Sequence, residues 1–424
     1  MTLGGSRGDV QPCVALGIGL KAAGHEVCLA APETFETLIL GNGLDFHPTS
    51  LDPQEAVREA LQGGDANPLE FAWRSRRILA PIIEENAREY LEACRGADVV
   101  IYTLVGFLGY GISRDLGIPR VGAMYGPLMN PARLYPSSFM PVFSGKLDLP
   151  EPSTIPGALK QLYNRLTYPV SQQILWQLLR APANRALKAV PGLSPFSFMG
   201  PFSEITKTRE PILNGWSPRI LPQPPDWGPR IPVTGYWFVD RPEDWCPPEG
   251  LTDFLDSGPP PVSIGFGSMG AARSQELIET ALDALKRAGR RGVLVTGWGG
   301  MTNTDLPDKV FKVDEVPHDW LFERVAAAVH HGGAGTTAAS LRAGAPTVTV
   351  PFLADQSFWG SRVAALGAGP PPIPRSQLSA ESLAQAIHQT EDSRMRERAR
   401  MLGAGIQDEN GVGRAVEEFH RFME

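Results

Sequence analysis

The sequence predicts an α/β protein with parallel sheets, built as two similar domains. Three observations lead there. A strand, a glycine turn, a helix closed by Ala-Gly and a second strand recur over 3–30, 261–296 and 326–350. That succession is the βαβ unit, which pairs its strands in parallel. The first two copies carry their turns at Gly5 and Gly265, 260 residues apart, as if each domain began this way. A chain of 424 residues also has the length for two or three domains.

Taken in order, Met1-Thr2-Leu3 runs straight into the first glycine turn and leaves the first strand a stub, as though the N-terminus were trimmed or misassigned. Leu3–Asp9 is the loop, Val10–Ala23 the helix, and Val27–Ala30 the next strand. Asp9 stands at the first strand-to-helix junction, where ligands collect on parallel sheets. As a residue it suits two roles: an acid capping or opening the helix, and a catalytic base. Arg7 faces either phosphate or solvent, and His25 reads as a solvent-facing turn residue. Phe71–Ala80 mixes Trp73 with Arg74, Arg76 and Arg77. Such a segment can touch lipid head groups, although an amphipathic surface helix is the commoner outcome. Ala97–Thr103 and Pro119–Met124 read as strands, with a helix over Gly106–Leu116 between them. From Pro131 to Pro201 the chain is aromatic and proline-punctuated, with helical spacing over Tyr163–Arg185. Most of those rings are expected in the core.

Seven prolines between Pro218 and Pro248 mark a stiffened linker. Beyond it, Pro261–Ser268 is strand then turn, and Val293–Thr296 the following strand. Ser268 is placed to cap a helix or to meet a phosphate. Trp298, in Thr-Gly-Trp-Gly-Gly, has few neighbours to bury it and is free to stack on a planar ring. Trp320 opens an apolar helix and reads as core. The stretch AAAVHHGGAGTTAASLRAGAPTVTVPFLADQSFWGSR, 326–362, organises this half. His331-Gly332-Gly333-Ala334-Gly335 turns the chain into a helix opened by Thr336-Thr337 and closed at Gly344. A helix start reached through glycines offers unpaired N–H groups and the positive end of a dipole, which is an anion site. His330 reads as packing at the strand end. Asp355-Gln356 follow the next strand on the same sheet edge. Gln377–Ile387, Asp392–Ala404 and Gly411–Glu424 read as helices.

Composition narrows the partners. The net charge is −7 with no basic stripe, which argues against nucleic acid. A 42% apolar content is enough for large cores. Gly and Pro, 45 and 40 residues, stay below the roughly 25–30% that signals disorder. Cys13, Cys28, Cys94 and Cys246 form no C-x-x-C pair, and a reduced, cytoplasmic setting is expected, peripheral to a membrane at most. No apolar run approaches the ~18 residues of a membrane span, and no signal peptide is expected.

HHGGAGTTAASLRAGAPTVTVPFLADQSFWGSRV resembles the donor-binding signature of the family 1 glycosyltransferases of GT-B fold. GSRGDVQP at Gly5–Pro12, TGWGG at Thr296–Gly300 and VPHDWLF at Val316–Phe322 are similar to the sterol 3-β-glucosyltransferases and their bacterial relatives within that family. The resemblance implies two Rossmann-like domains with parallel sheets facing each other across a cleft. Their boundaries are expected at 1–218 for the acceptor domain, 219–248 for the linker, 249–405 for the UDP-sugar domain and 406–424 for a helix crossing back to the first.

It also implies roles. Asp9 stands where the family has a His or Asp base. Ser268 and His331 match residues on the diphosphate, with the backbone of Gly333, Ala334, Gly335 and Thr336. Trp298 would stack on uracil, and the backbone of Val316 through His318 would pair with its edge. Asp355 and Gln356 match the pair that holds sugar hydroxyls, and Phe358-Trp359 would pack below the sugar. The 131–201 insert would line an acceptor cleft suited to a sterol, triterpenoid or polyketide aglycone. The activity so implied is inverting transfer of glucose from UDP-glucose to a hydrophobic alcohol. No cofactor or metal is expected, and no Asp-x-Asp occurs in the chain to carry a bridging Mg²⁺. Three rivals stand beside it: a UDP-sugar epimerase of the same fold, a non-catalytic sugar-nucleotide sensor, and a dinucleotide oxidoreductase. For the last, Gly265–Gly270 fits G-x-G-x-x-G, but the next strand ends in Gly297-Trp298 instead of an acid.

Overall fold

Two parallel sheets, each in its own compact unit, organise the chain. The computed structural model describes residues 1–50, 83, 85–139, 157–267, 274–296, 306–352 and 355–424. The aromatic-basic segment 71–80, Ser268 and Trp298 lie outside the described residues.

The first unit comprises Met1–Pro218, Pro222–Val239 and Asn410–Glu424. Its strands are β1 (Cys28–Pro32), β2 (Asp45–Thr49), β3 (Val100–Tyr102), β4 (Arg120–Met124) and β5 (Ile212–Asn214). β1 pairs with β2, and β3 with β4 and β4 with β5, all parallel. Thr2 joins the two groups: it bridges Ala30 on one side and Tyr102 on the other. Its N–H reaches Ile101 O at 2.9 Å, while Leu3 N–H reaches Ala30 O at 2.9 Å. The expected stub is thus the sheet's central strand, reduced to a single bridging residue. The strand order reverses between Thr2 and β3, so the crevice where parallel sheets bind ligands opens just past Leu3.

Helix α1 (Arg7–Ala22) follows at once, starting earlier than the apolar pattern suggests because Ser6 caps it. α2 (Leu108–Leu116) ends at Gly117, whose φ of 70° is the left-handed conformation that glycine adopts most readily at a helix end. α3 (Gly157–Ala189) runs 33 residues, well past the expected 163–185, with Pro169 and Pro182 inside it. Its inner face sets Trp176, Ala183, Ala186 and Leu187 into a core with Tyr102, Tyr110 and Phe196. α4 (Gly200–Thr208) adds Phe202 and Ile205 to the same core. The proline-rich stretch is largely built into this unit: Trp227 and Trp237 are buried, and Trp237 Nε1 donates to Thr234 Oγ1 at 2.9 Å.

The second unit comprises Arg219–Leu221 and Asp240–Glu409. Its strands are β6 (Val262–Gly265), β7 (Gly292–Val295), β8 (Val310–Val313), β9 (Ala327–His330) and β10 (Thr347–Thr349). They stand in the order β10-β9-β6-β7-β8, every pair parallel. The inner strands are short and apolar because helices cover both faces. α5 (Ser274–Arg287), α6 (His318–Leu321), α7 (Ala334–Arg342), α8 (Gln356–Ala365), α9 (Ala380–Gln389) and α10 (Ser393–Gln407) are those helices. The order reverses between β6 and β9, where Gly265 lies opposite His330.

The last helix, α11 (Gly411–Met423), packs on α1 within the first unit. Ala415 and Phe419 enter its core beside Val14 and Leu16. His25 is not the solvent-facing turn residue the sequence suggested. It is half-buried, with Nε2 2.8 Å from His420 Nε2 and its ring edge-on to Phe419 at 5.5 Å.

Candidate active site

In the second unit, β9 ends by delivering two histidines to the switch point. They do different things. His330 is buried, and its Nδ1 accepts the Gly332 N–H at 3.0 Å. Nε2 therefore carries the proton and meets Ser340 Oγ at 3.3 Å. Burial holds this imidazole well below its ordinary pKa. His330 ties the turn to helix α7, in keeping with a strand-end packing role.

His331 points the other way. A side chain at Gly333 would put its Cβ 2.5 Å from His331 Nε2, so the ring lies across Gly333 and only glycine leaves room for it. His331 Nδ1 is buried with no hydrogen-bond partner among the described residues. Burial, and then the nearby His318, push its pKa down to about 4, so the ring is neutral at pH 7. Gly333 is the N-cap of α7 and supplies no side chain to satisfy the helix start. The first N–H groups of α7, at Ala334, Gly335 and Thr336, have no partner within the helix. Thr337 Oγ1 is buried without a partner among the described residues. Unpartnered donors, a helix dipole and a neutral imidazole converge at one turn, which is the makeup of an anion site.

The corner after β10 lies against that turn. Gly332, at φ 87°, stands where a Cβ would come 3.0 Å from Gln356 O. Asp355 is the N-cap of α8, and its Oδ2 accepts Trp359 Nε1 at 2.8 Å. Burial raises its carboxyl above the usual range, against the opposing pull of that indole bond. Gln356 is buried, with Oε1 accepting Phe352 N–H at 2.7 Å. Val316 is buried in an apolar cluster with Trp320, Leu321 and Phe322. His318 opens α6 and stacks on Phe322, ring centroids 4.7 Å apart. Trp320 packs on Trp245 at 5.3 Å, a core residue as its pattern implied. One sheet edge therefore gathers Val316, His318, His331, Gly333–Thr336, Asp355 and Gln356. The indole of Trp359, one helical turn past Asp355, was not read as a clamp from the sequence, though its i,i+4 spacing carried the signal.

In the first unit, Asp9 occupies the third position of α1. Ser6 N–H and Ser6 Oγ both donate to Asp9 Oδ2, at 2.8 and 3.0 Å. The capping role open in the sequence is thus realised. It does not exclude a second role, because the carboxylate remains partly exposed at the unit's switch point. Gly5 has φ 93°, and a Cβ there would come 2.4 Å from Asp9 Oδ2. The glycine turn and the acid are matched. Tyr125 closes the same edge from the end of β4, its Oη 2.7 Å from Cys13 Sγ. Burial raises the Cys13 thiol to about 12, which keeps it protonated and inert.

Residues 1–103 match the family model of the glycosyltransferase family 28 N-terminal domain. Residues 295–410 match the erythromycin biosynthesis protein CIII-like C-terminal domain. A sterol 3-beta-glucosyltransferase of Arabidopsis thaliana, UGT80B1, is 35% identical over 99% of this chain and 67% of its own length. The chain belongs to the family 1 glycosyltransferases. A sterol 3-beta-glucosyltransferase of Aspergillus clavatus is likewise 35% identical over 99% of this glycosyltransferase, which spans only 29% of that relative's length. The calicheamicin glycosyltransferase CalG4 superposes with a TM-score of 0.68 at 17% identity, covering 100% of this chain and 97% of its own. SsfS6 of Streptomyces sp. SF2575, in complex with thymidine diphosphate, superposes with a TM-score of 0.61 at 21% identity, covering 99% and 98%. At such identities the likeness shows the fold alone, the GT-B fold expected of the family.

Proposed function

We propose that this glycosyltransferase moves glucose from UDP-glucose to the hydroxyl of a sterol-like or other hydrophobic aglycone, inverting the anomeric centre without a metal. The observation that carries the reading is the turn at His331–Thr336. There a neutral imidazole, its Nδ1 without a partner among the described residues, stands beside N–H groups that have no partner within their helix. Relatives named as sterol 3-beta-glucosyltransferases, 33–35% identical over nearly the whole chain, favour glucose and a sterol.

In this reading the α7 start and His331 hold the diphosphate. Asp355 and Gln356 hold the hexose, and the backbone around Val316–His318 reads the base, with Trp298 stacked on it and Ser268 on the diphosphate. The acceptor oxygen attacks the anomeric carbon from the face opposite UDP, and its proton passes to Asp9. The bond from that carbon to the diphosphate oxygen breaks as the new bond forms. A carboxylate is a weak base for an alcohol, so the proton moves late, once bond formation has acidified the hydroxyl. Charge then grows on the departing diphosphate, where helix N–H groups cost no reorganisation to stabilise it.

Asp9→Asn tests the assignment. UDP binding, read by calorimetry, should stay as in the parent. Turnover of UDP-glucose with a sterol should drop about 10²–10⁴-fold, the range for loss of a general base. Parent-like turnover would leave Asp9 as a helix cap only. UDP release without any added alcohol would favour the epimerase reading. Tight UDP-glucose binding with no release under any acceptor would favour the sensor.

A further inference from the structure

Helix α3, part of the 131–201 insert expected to line the acceptor cleft, also carries an exposed face to which the proposed reaction assigns no residue. Its 33 residues hold five basic side chains (Lys160, Arg165, Arg180, Arg185 and Lys188) and no Asp or Glu, in a chain of net charge −7. Leu159, Leu162, Leu166 and Val170 lie on it between 45% and 59% exposed. At 100° per residue these four, with Gln173 and Gln177, fall within an arc of about 80°. They form one stripe, and the opposite face, with Asn164, Tyr168, Ser171 and Ala186, is buried.

The stripe continues beyond the leucines. Gln173 Nε2 and Gln177 Nε2 both donate to Phe198 O, at 3.3 and 3.0 Å, and Trp176 Nε1 donates to the same oxygen at 3.0 Å. Three side chains thus fix the Phe198-Met199 corner against α3, and still Phe198 is 60% and Met199 48% exposed. Arg180 lies over the Phe198 ring at 4.8 Å. From Leu159 to Gln177 the strip is about 27 Å long. Lys160 and Arg165 stand about 100° or more to either side of its centre line, so cations flank it on both sides.

We propose that this face of α3, with Phe198 and Met199, docks the protein on an anionic lipid surface. A row of exposed aliphatic side chains flanked by cations is how a helix lies in a membrane interface, apolar side down and ammonium or guanidinium groups at the phosphates. The absence of any carboxylate along the helix removes the repulsion that an anionic bilayer would otherwise meet. A soluble apolar partner would not require that one-sided charge. The inference concerns where the chain docks, and holds whether or not the acceptor is a sterol.

Co-sedimentation of the full chain with vesicles tests it. The parent should bind phosphatidylcholine–phosphatidylserine vesicles, lose affinity as salt is raised, and bind pure phosphatidylcholine weakly. Leu162→Glu with Leu166→Glu should abolish binding to both. Lys160→Gln with Arg165→Gln should weaken binding to the anionic vesicles about thirtyfold, at about 1 kcal/mol per cation near the surface. All four positions are exposed, and an unchanged melting temperature shows the fold intact. Equal vesicle binding by the parent and the double glutamate variant would overturn the proposal, as would no binding by the parent. A parent that self-associates in solution and becomes monomeric in the glutamate variant, without vesicle binding, would assign the face to a second copy instead.

Discussion

Trp359 and Gly333 decide the shape of the proposed donor site one residue at a time. The Trp359 indole N–H donates to Asp355 Oδ2 and keeps that carboxyl aimed from the start of α8. Trp359→Phe removes that donor while keeping most of the ring. Under the proposed assignment of Asp355 to the hexose, it should weaken UDP-glucose binding about tenfold, ~1.4 kcal/mol, and leave the binding of UDP, which has no hexose, unchanged. Calorimetry with both ligands checks the difference. Gly333→Ala sets a methyl 2.5 Å from His331 Nε2 and must displace the imidazole. Here UDP itself should bind at least about tenfold more weakly, with little change in melting temperature, since the turn is partly exposed. Asp9 teaches the opposite lesson. Its bonds from Ser6 make it a cap by geometry, and only turnover can reveal whether it is also a base.

At the scale of elements, the three strand–turn–helix units were legible because each is local. A glycine turn, an Ala-Gly stop and short apolar strands need only near neighbours to express themselves. Boundaries moved where a side chain outside the pattern intervened. Ser6 pulled α1 back to Arg7, and α3 extended to Ala189 because Ala183, Ala186 and Leu187 carry its buried face on past Trp176. Helix α11 is the clearest non-local element. Its amphipathic sequence gives a helix, while its seat on α1 depends on Gly19 leaving room for Val412, where a Cβ would come 2.4 Å from Cγ1. Phe419→Ala, emptying a buried ring position on that seat, should cost about 3–5 kcal/mol of stability, measured by denaturant unfolding.

For the whole molecule, acid stability follows from the two switch-point histidines. Both are held below the ordinary pKa of ~6.5, His331 at about 4 and His330 well below its usual value. As pH falls from 6.5 toward 4, the unfolded chain takes up protons on these groups that the folded chain refuses. Stability should therefore drop across that window and be independent of them above it. Asp355, raised by burial, acts in the opposite sense just above the usual carboxylate range. Thermal melting from pH 7.5 down to 4.5 measures the slope, and His331→Gln should flatten part of it. A parent protein whose melting temperature rises over that window would contradict the burial of both rings.

The sequence by itself determined the α/β class, the parallel pairing, the family, and the residues at each strand-to-helix junction. The class, the pairing and the junctions follow from local pattern, because a strand that ends in glycines before a helix presents its junction at the sheet's carboxyl edge, while the family rests on the resemblance of whole motifs. Tertiary structure alone decided which junctions meet. His331 came to rest across Gly333 and beside the Asp355–Gln356 corner because β9 stands between β6 and β10, an order no short window of sequence contains. It alone decided that Thr2 serves as a central strand, that His25 pairs with His420 across nearly the whole chain length, and that the leucines of α3 stay outside the core. The physical reason is the same in each case. Burial and its effect on protonation and hydrogen bonding depend on what packs against a residue, and the packing partners here are distant in the chain.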